Sequence, residues 1–265
     1  MDPIKEHYKK LAEIFGNSKE MSMKDNFTRD AEIMDITKCL SYFLSKGKAQ
    51  KILEIGCGNG YSAQMIHEFI TNSEYTGIDF CEDLITLAVK RNIKNYSFRQ
   101  GDVLNLDFKD SSFDIIFSER CLINLDSWEK QERGLSEIHR VLKPGGIYIM
   151  IECFTDGLFN INEARRVIGL PPVEQPFHNK YFDKKEFFKS MNKKFLVYDD
   201  KYPEFAAIHR TNFLSSYYFG RSVLYPAMSQ NQEIEYNNKF VEFFSYMEPY
   251  GNYSYIQSII LEKNE

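Results

Sequence analysis

Five residues, Lys51-Ile52-Leu53-Glu54-Ile55, form a short apolar run that stops at Gly56-Cys57-Gly58-Asn59-Gly60. Such a run is too short for a helix, and the glycines behind it predict a tight turn out of a strand. Gly56 and Gly58 admit backbone angles closed to other residues and let a ligand lie against the main chain. Residues 61–70 follow at helical spacing, with Met65, Ile66 and Phe69 on one side. A strand, a glycine turn and a helix whose first N–H groups are open to a ligand constrain the chain to an α/β sheet.

The alternation continues downstream. Residues 75–79 read as a second strand, 83–91 as a helix with Leu84, Leu87 and Ala88 in phase, 96–100 as a third strand and 113–118 as a fourth. A helix from about 127 to 142 is expected to close at Lys143-Pro144-Gly145-Gly146, ahead of a fifth strand over 147–152. The first, fourth and fifth strands are continuous apolar runs, as buried parallel strands are. Upstream, Ile33, Ile36, Leu40, Phe43 and Leu44 predict an amphipathic lead-in helix over 31–44, ended by Lys46-Gly47-Lys48. A helix over 160–169 precedes an irregular stretch marked by Pro171-Pro172 and Pro176, then a sixth strand over 195–198 and a seventh over 255–261. Between these two lie about fifty residues dense in Tyr and Phe and interrupted by Pro203, Pro226 and Pro249, which predict a lid or binding element. Residues 1–265 read as a single domain: a helical cap over 1–50, a core over 51–155, and a substrate-side segment over 156–265 with the insertion at about 203–250.

Carboxylates mark the strand ends on one rim. Asp79 ends the second strand, where an acid accepts hydrogen bonds from ribose hydroxyls. Asp102, after the third strand, is placed to accept from an exocyclic amine, with the Val103 N–H on a ring nitrogen. Three strand ends then outline an adenosine site. A nicotinamide or flavin dinucleotide is the competing occupant, but its G-x-G-x-x-G fingerprint fails, because the third glycine is at 60 and Tyr61 stands where it belongs. Glu54, two residues before the first glycine, would repel a pyrophosphate and suits a positively charged ligand, such as a sulfonium with an α-ammonium group. No Gly-Lys-Ser/Thr follows, so the P-loop reading fails too.

Composition narrows the partners. Lys plus Arg number 33 against 38 Asp plus Glu, a net charge of −5, so no basic field points to nucleic acid or an anionic membrane. The 43% apolar and 27% charged residues are those of a globular chain. No apolar run reaches the ~20 residues of a spanning helix. Met1-Asp2-Pro3-Ile4-Lys5-Glu6 lacks an apolar signal core. Cys39, Cys57, Cys81, Cys121 and Cys153 are scattered, without a Cys-x-x-Cys pair or a His cluster. That spacing argues against a disulfide framework and a structural zinc, and suits a reducing cytoplasm.

Residues 52–60, Gly77-Ile78-Asp79-Phe80, Gly101-Asp102, the run over 113–118 and Val141-Leu142-Lys143-Pro144-Gly145-Gly146 together resemble the ordered motifs of class I S-adenosylmethionine-dependent methyltransferases. The resemblance covers roughly 50–155. It implies a Rossmann-like seven-stranded sheet of order 3-2-1-4-5-7-6 with the last strand antiparallel, N-terminal helices and a C-terminal lid insertion. It also implies S-adenosyl-L-methionine as cofactor and S-adenosyl-L-homocysteine as product. Carried over by motif, Glu54, Gly56, Gly58 and the turn through Gly60 line the methionine end, Asp79 holds the ribose and Phe80 packs on the adenine. Asp102 and Val103 take the adenine edge, and Ser118 lies under the sulfonium. Arg29 is a candidate for the cofactor carboxylate, as N-terminal segments are in similar methyltransferases, or else a cap for local carboxylates; Tyr8 is a fainter candidate for the same task.

Methyl transfer needs a positioned nucleophile and, where the acceptor is a hydroxyl, removal of a proton. Glu152, ending the fifth strand, is a candidate base or substrate contact. His178, in an irregular stretch, is the other, with His209 as a rival. Arg120 is placed either to fork onto a carboxylate, phosphate or sugar hydroxyl, or to pair with Glu119 or Glu152. Asn124, Tyr217 and Arg221 complete the candidate substrate contacts. No metal is required. The Asn/Asp-Pro-Pro turn of nucleic-acid amino-methyltransferases is replaced by Ser118-Glu119-Arg120-Cys121, so a small molecule is the expected acceptor. The segment over 120–125, with Asn162, Arg165 and His178-Asn179, resembles methyltransferases of bacterial surface-polysaccharide synthesis, which implies O-methylation of a sugar, nucleotide-sugar or phosphorylated acceptor. A cofactor-binding module without chemistry and an NAD(P)-dependent oxidoreductase remain the alternatives, and a homodimer stays open.

Overall fold

Every residue of β1 (Lys51–Ile55) after Lys51 is buried, which places this strand inside a sheet covered on both faces. The computed structural model describes residues 3–21, 23–47, 51–229 and 232–264. Beside β1 lie β2 (Glu74–Asp79), β3 (Tyr96–Gln100), β4 (Phe113–Glu119), β5 (Leu142–Cys153), β6 (Phe195–Val197) and β7 (Ile256–Lys263). Their order is 3-2-1-4-5-7-6. The first five strands are parallel, and β7 runs antiparallel between β5 and β6, as expected from the motif set.

Helices cover the sheet: α1 (Pro3–Phe15), α2 (Asn26–Ser45), α3 (Tyr61–Ile66), α4 (Glu82–Lys90), α5 (Trp128–Val141), α6 (Thr155–Val167) and α7 (Lys184–Met191). Ile36, Leu40 and Phe43 of α2 pack with Ile52, Ile66 and Tyr75 in the main core. The lead-in helix starts earlier than its apolar period, because Asp25 caps it by accepting the Thr28 N–H at 3.0 Å. Lys46 is its C-cap, and Lys48 lies outside the described residues. β5 also starts early. Leu142 pairs with Phe113 across a register shift, so the expected stop at residues 143–146 is an irregular first turn of the strand. Gly146 is needed there, since a Cβ would lie 2.8 Å from the Lys143 carbonyl oxygen and 3.0 Å from that of Asp114.

After β6 come short helices, α8 (Tyr198–Lys201), α9 (Pro203–Ala206), α10 (Ser215–Phe219), α11 (Tyr225–Met228) and α12 (Lys239–Ser245), with a π-turn between α10 and α11. This insertion is tied to the start of α2. Tyr217 donates its hydroxyl to Asp25 at 2.8 Å, and Arg221 pairs with the same carboxylate at 3.2 Å while lying 3.9 Å from the Tyr218 ring centroid. Tyr217 and Arg221 therefore anchor the insertion to α2. No described helix is long and apolar enough to cross a membrane.

Candidate functional site

The carboxyl ends of β1 to β4 open into a cleft of about 650 Å³, the size of a cofactor site. Its floor is the glycine turn. Gly56 and Gly58 have φ of +77° and +53°, and the Gly56 and Cys57 N–H groups both bond the Ile78 carbonyl. A Cβ on Gly56 would come within 2.6 Å of the Cys121 sulfur, so only glycine lets the loop after β4 pass this close. Glu54, Asp79 and Asp102 line the cleft from three neighbouring strand ends, joined by Phe80 and Val103.

Each acid has a distinct setting. Asp79 accepts the Gly58 and Cys81 N–H groups at 3.0 and 2.9 Å, yet burial pushes its pKa up to about 6. Glu54 accepts the Tyr75 hydroxyl, and burial raises its pKa to about 8 against the opposing pull of Arg29. Asp102 is exposed and accepts the Leu104 N–H at 2.8 Å. Opposite the glycine turn, Arg29 pairs with Glu119, and Ser62 bridges them, accepting from Arg29 at 3.0 Å and donating to Glu119 at 2.9 Å. Burial, followed by the neighbouring Arg120 charge, lowers the Arg29 pKa to about 10. Its Nε is buried with no hydrogen-bond partner, an orphaned donor at the cleft wall. Arg120, at φ +51°, pairs with the buried Glu32 at 2.8 Å and with Glu119 at 3.5 Å.

The mouth is formed by α1 and the loop over 177–180. Tyr8 donates to Asn124 at 3.1 Å, Asn179 donates to the same oxygen at 3.2 Å, and the His7 and His178 rings lie 4.7 Å apart. Burial, then the nearby His7, lowers the His178 pKa. His178 Nδ1 is buried with no hydrogen-bond partner.

The structure thus gathers Tyr8, Arg29, Glu54, Gly56, Gly58, Asp79, Phe80, Asp102, Val103, Arg120, Asn124 and His178 around one space. Six other candidates lie outside its lining. Gly60 caps α3 at φ +73°, where a Cβ would meet Ala88 at 3.0 Å, so its glycine serves helix packing. Ser118 is fully buried, bonded to Tyr148 at 2.8 Å and Glu152 at 3.0 Å. Glu152, also fully buried, accepts the N–H groups of Cys121, Leu122 and Ile123 at 3.0, 2.9 and 3.2 Å, so the structure corrects its expected role as base or substrate contact. Its carboxyl is held under the loop after β4, with burial raising its pKa to about 7 and these donors lowering it. Tyr217 and Arg221 face Asp25, as described, and none of the described residues over 203–250 lines the cleft. The insertion is a helical layer beside the site where a lid was expected. His209 is buried elsewhere, bonded to Asp199 and Ser258.

Glu32 and Ser62 have no place in the reading from sequence, and Glu119 enters it only as an ion-pair partner for Arg120. Glu32 carried a faint signal, a charge directly before Ile33 at the start of the apolar period, while Glu119 directly follows the expected end of the fourth strand.

A methyltransferase domain model matches residues 46–202, more than half of the chain. Among curated relatives, a fatty-acid O-methyltransferase of Mycolicibacterium smegmatis is 31% identical over 133 residues, covering 48% of this chain and 45% of that protein. A malonyl-[acyl-carrier protein] O-methyltransferase of Buchnera aphidicola is 28% identical, covering 64% of each chain. The chain therefore spans less than two thirds of the length of either relative. The PH0226 protein of Pyrococcus horikoshii shares the fold at a TM-score of 0.54 and 20% identity, over 71% of this chain and 91% of that one. With this domain match and the 3-2-1-4-5-7-6 sheet around a glycine-turn cleft, the chain belongs to the methyltransferase domain family, in the class I S-adenosylmethionine-dependent group.

Proposed function

We propose that the chain binds S-adenosylmethionine in the cleft and transfers its methyl group to an oxygen of a small polar acceptor admitted between α1 and the 177–180 loop. The observation that carries this reading is the convergence of Glu54, Asp79 and Asp102 on a space floored by Gly56 and Gly58. The orphaned Arg29 Nε fits the same ligand, since a carboxylate beside it would satisfy a donor otherwise left bare. The bound cofactor supplies a methyl group on a cationic sulfur. In this assignment Asp79 accepts from the ribose, Asp102 and the Val103 main chain meet the adenine edge, Phe80 flanks the ring, and Glu54 faces the cationic amino-acid end. Tyr8 and Arg29 close over the carboxylate.

His178 is the proposed base. Its lowered pKa keeps the imidazole neutral at pH 7, able to take a hydroxyl proton. Arg120, Asn124, Asn179, Lys130 and Lys180 line the acceptor side, which supports a sugar, nucleotide-sugar or phosphorylated acceptor. The named acceptors of the relatives differ from one another, so they support the transfer and no single acceptor. Incubation with methyl-labelled cofactor and a fractionated metabolite extract should yield a labelled small molecule. His178→Ala should lower turnover by ~10²–10⁴-fold, the range usual for a general base, while cofactor affinity is kept. Absence of transferred label with every fraction would favour a binding module without chemistry.

The acids give binding a defined pH dependence. Free Glu54, with its pKa at about 8, is mostly protonated at pH 7, and a cation beside it favours the carboxylate. Cofactor binding at pH 7 should therefore release most of one proton, and affinity should rise with pH to about 8. Below about 6, protonation of Asp79 removes an acceptor and affinity should fall again. Calorimetry in buffers of different ionisation enthalpy reads the proton directly; identical heats in all buffers would remove Glu54 from this role.

A further inference from the structure

About two turns along α2 from Arg29, and outside the cleft lining, a second set of chemically capable side chains meets. Asp35 and Cys39 share one face of the helix, four residues apart, and His209 packs against them from the loop after α9. One donor atom from each of these three lies within 4.8 Å of the others. His209 Nε2 is 3.9 Å from Asp35 Oδ2. The His209 side chain is 1% exposed and that of Asp35 is 6% exposed.

Two observations make this more than a buried cluster. Asp35 Oδ2 is buried and has no hydrogen-bond partner, although it points at the imidazole. An acceptor so placed carries a desolvation cost that a cation would remove. Beyond the imidazole, Asp199 Oδ2 sits 2.6 Å from His209 Nδ1. A carboxylate there fixes the proton on Nδ1 and turns the Nε2 lone pair towards Asp35 and Cys39, the arrangement by which carboxylates orient metal-bound histidines. The Ser258 hydroxyl lies 2.9 Å from Nε2. Lys38, on the same helix, donates its ammonium to the Ile208 carbonyl.

We propose that Asp35, Cys39 and His209 form a structural zinc site, oriented by Asp199, that fastens the start of the insertion to α2. One imidazole, one thiolate and one carboxylate are a zinc donor set, with water or Ser258 available for the fourth position. Zinc donors at about 2.0–2.3 Å lie roughly 3.3–3.8 Å apart, so the residues need move inward by no more than about 1 Å. On binding, Cys39 gives its thiol proton to solvent and the Ser258 hydroxyl leaves Nε2. The donors come from residues 35, 39 and 209, too far apart in the chain for any spacing motif, which is why the scattered cysteines pointed away from zinc.

The test uses the tag-free 265-residue chain stripped with a chelator. Added zinc should bind at one equivalent and raise Tm by about 5–10 °C at a hundredfold excess over Kd. Cobalt in its place should show a thiolate-to-cobalt charge-transfer band. Cys39→Ser should abolish that band, and His209→Gln should weaken zinc binding at least tenfold. Asp199→Asn, which keeps the shape of the orienting residue, should weaken zinc binding by ~10–100-fold. Should Cys39→Ser fail to fold, the cobalt spectrum of the unaltered chain decides. No stoichiometric zinc and no charge-transfer band would overturn the proposal, as would a variant that binds zinc like the parent.

Discussion

Replacing Glu152 by alanine should cost about 3–5 kcal/mol of folding stability, the largest loss expected from a single change around the cleft. The carboxyl is fully buried and receives three successive backbone N–H groups, from Cys121, Leu122 and Ile123, along with the Ser118 hydroxyl. Each buried donor left unpaired costs about 1–3 kcal/mol, and a water entering the vacated space recovers part of the sum. The damage is also positional. Those N–H groups begin the turn that carries Asn124, whose side chain meets Tyr8 and Asn179 at the mouth of the cleft. Denaturant titration should therefore show a lower midpoint with an unchanged slope, accompanied by weaker acceptor binding. A loss below 1 kcal/mol would mean that the loop after β4 is held by other contacts.

Asp79→Ala should weaken cofactor binding by about 1.5–3 kcal/mol, or ~10- to 150-fold in Kd, the range for a hydrogen bond to a charged group. The carboxylate also accepts the Gly58 and Cys81 N–H groups, so the variant loosens the glycine turn as well as removing a ligand contact. Asp79→Asn separates the two effects, because its amide oxygen accepts one of those bonds while the charge is lost. If calorimetry with S-adenosylhomocysteine gives the parent affinity for both variants, the proposed ribose role of Asp79 is wrong.

How much of this was legible in the sequence follows from the range of the interactions. β1, the glycine turn and the acid closing β2 were readable because each depends on neighbours within a few residues. The start of β5 was not, since Lys143-Pro144-Gly145-Gly146 carries the local signature of a stop while Leu142 is held in the sheet by Phe113. Glu152 was correctly placed at the end of a strand, but its partners, three N–H groups of another strand's exit loop, leave no trace in its own surroundings. Arg120 was read as a substrate fork or an ion pair with Glu119 or Glu152; it pairs with Glu119 and with Glu32, a residue 88 positions away. The insertion was recognised as unusual from its aromatics and prolines. Its docking on Asp25 through Tyr217 and Arg221 rests on contacts spanning nearly 200 residues, which composition cannot reveal.

The position of β7 has a bearing on biosynthesis. As translation proceeds, β1 to β5 can assemble once they leave the ribosome, but the flank of β5 stays open until residues 256–263 arrive, and β6 meanwhile has no neighbour to bond to. Nascent chains halted anywhere in the insertion would thus expose a long apolar edge, a template for pairing with other unfinished copies. Premature termination in this region should yield aggregates and not a smaller folded domain.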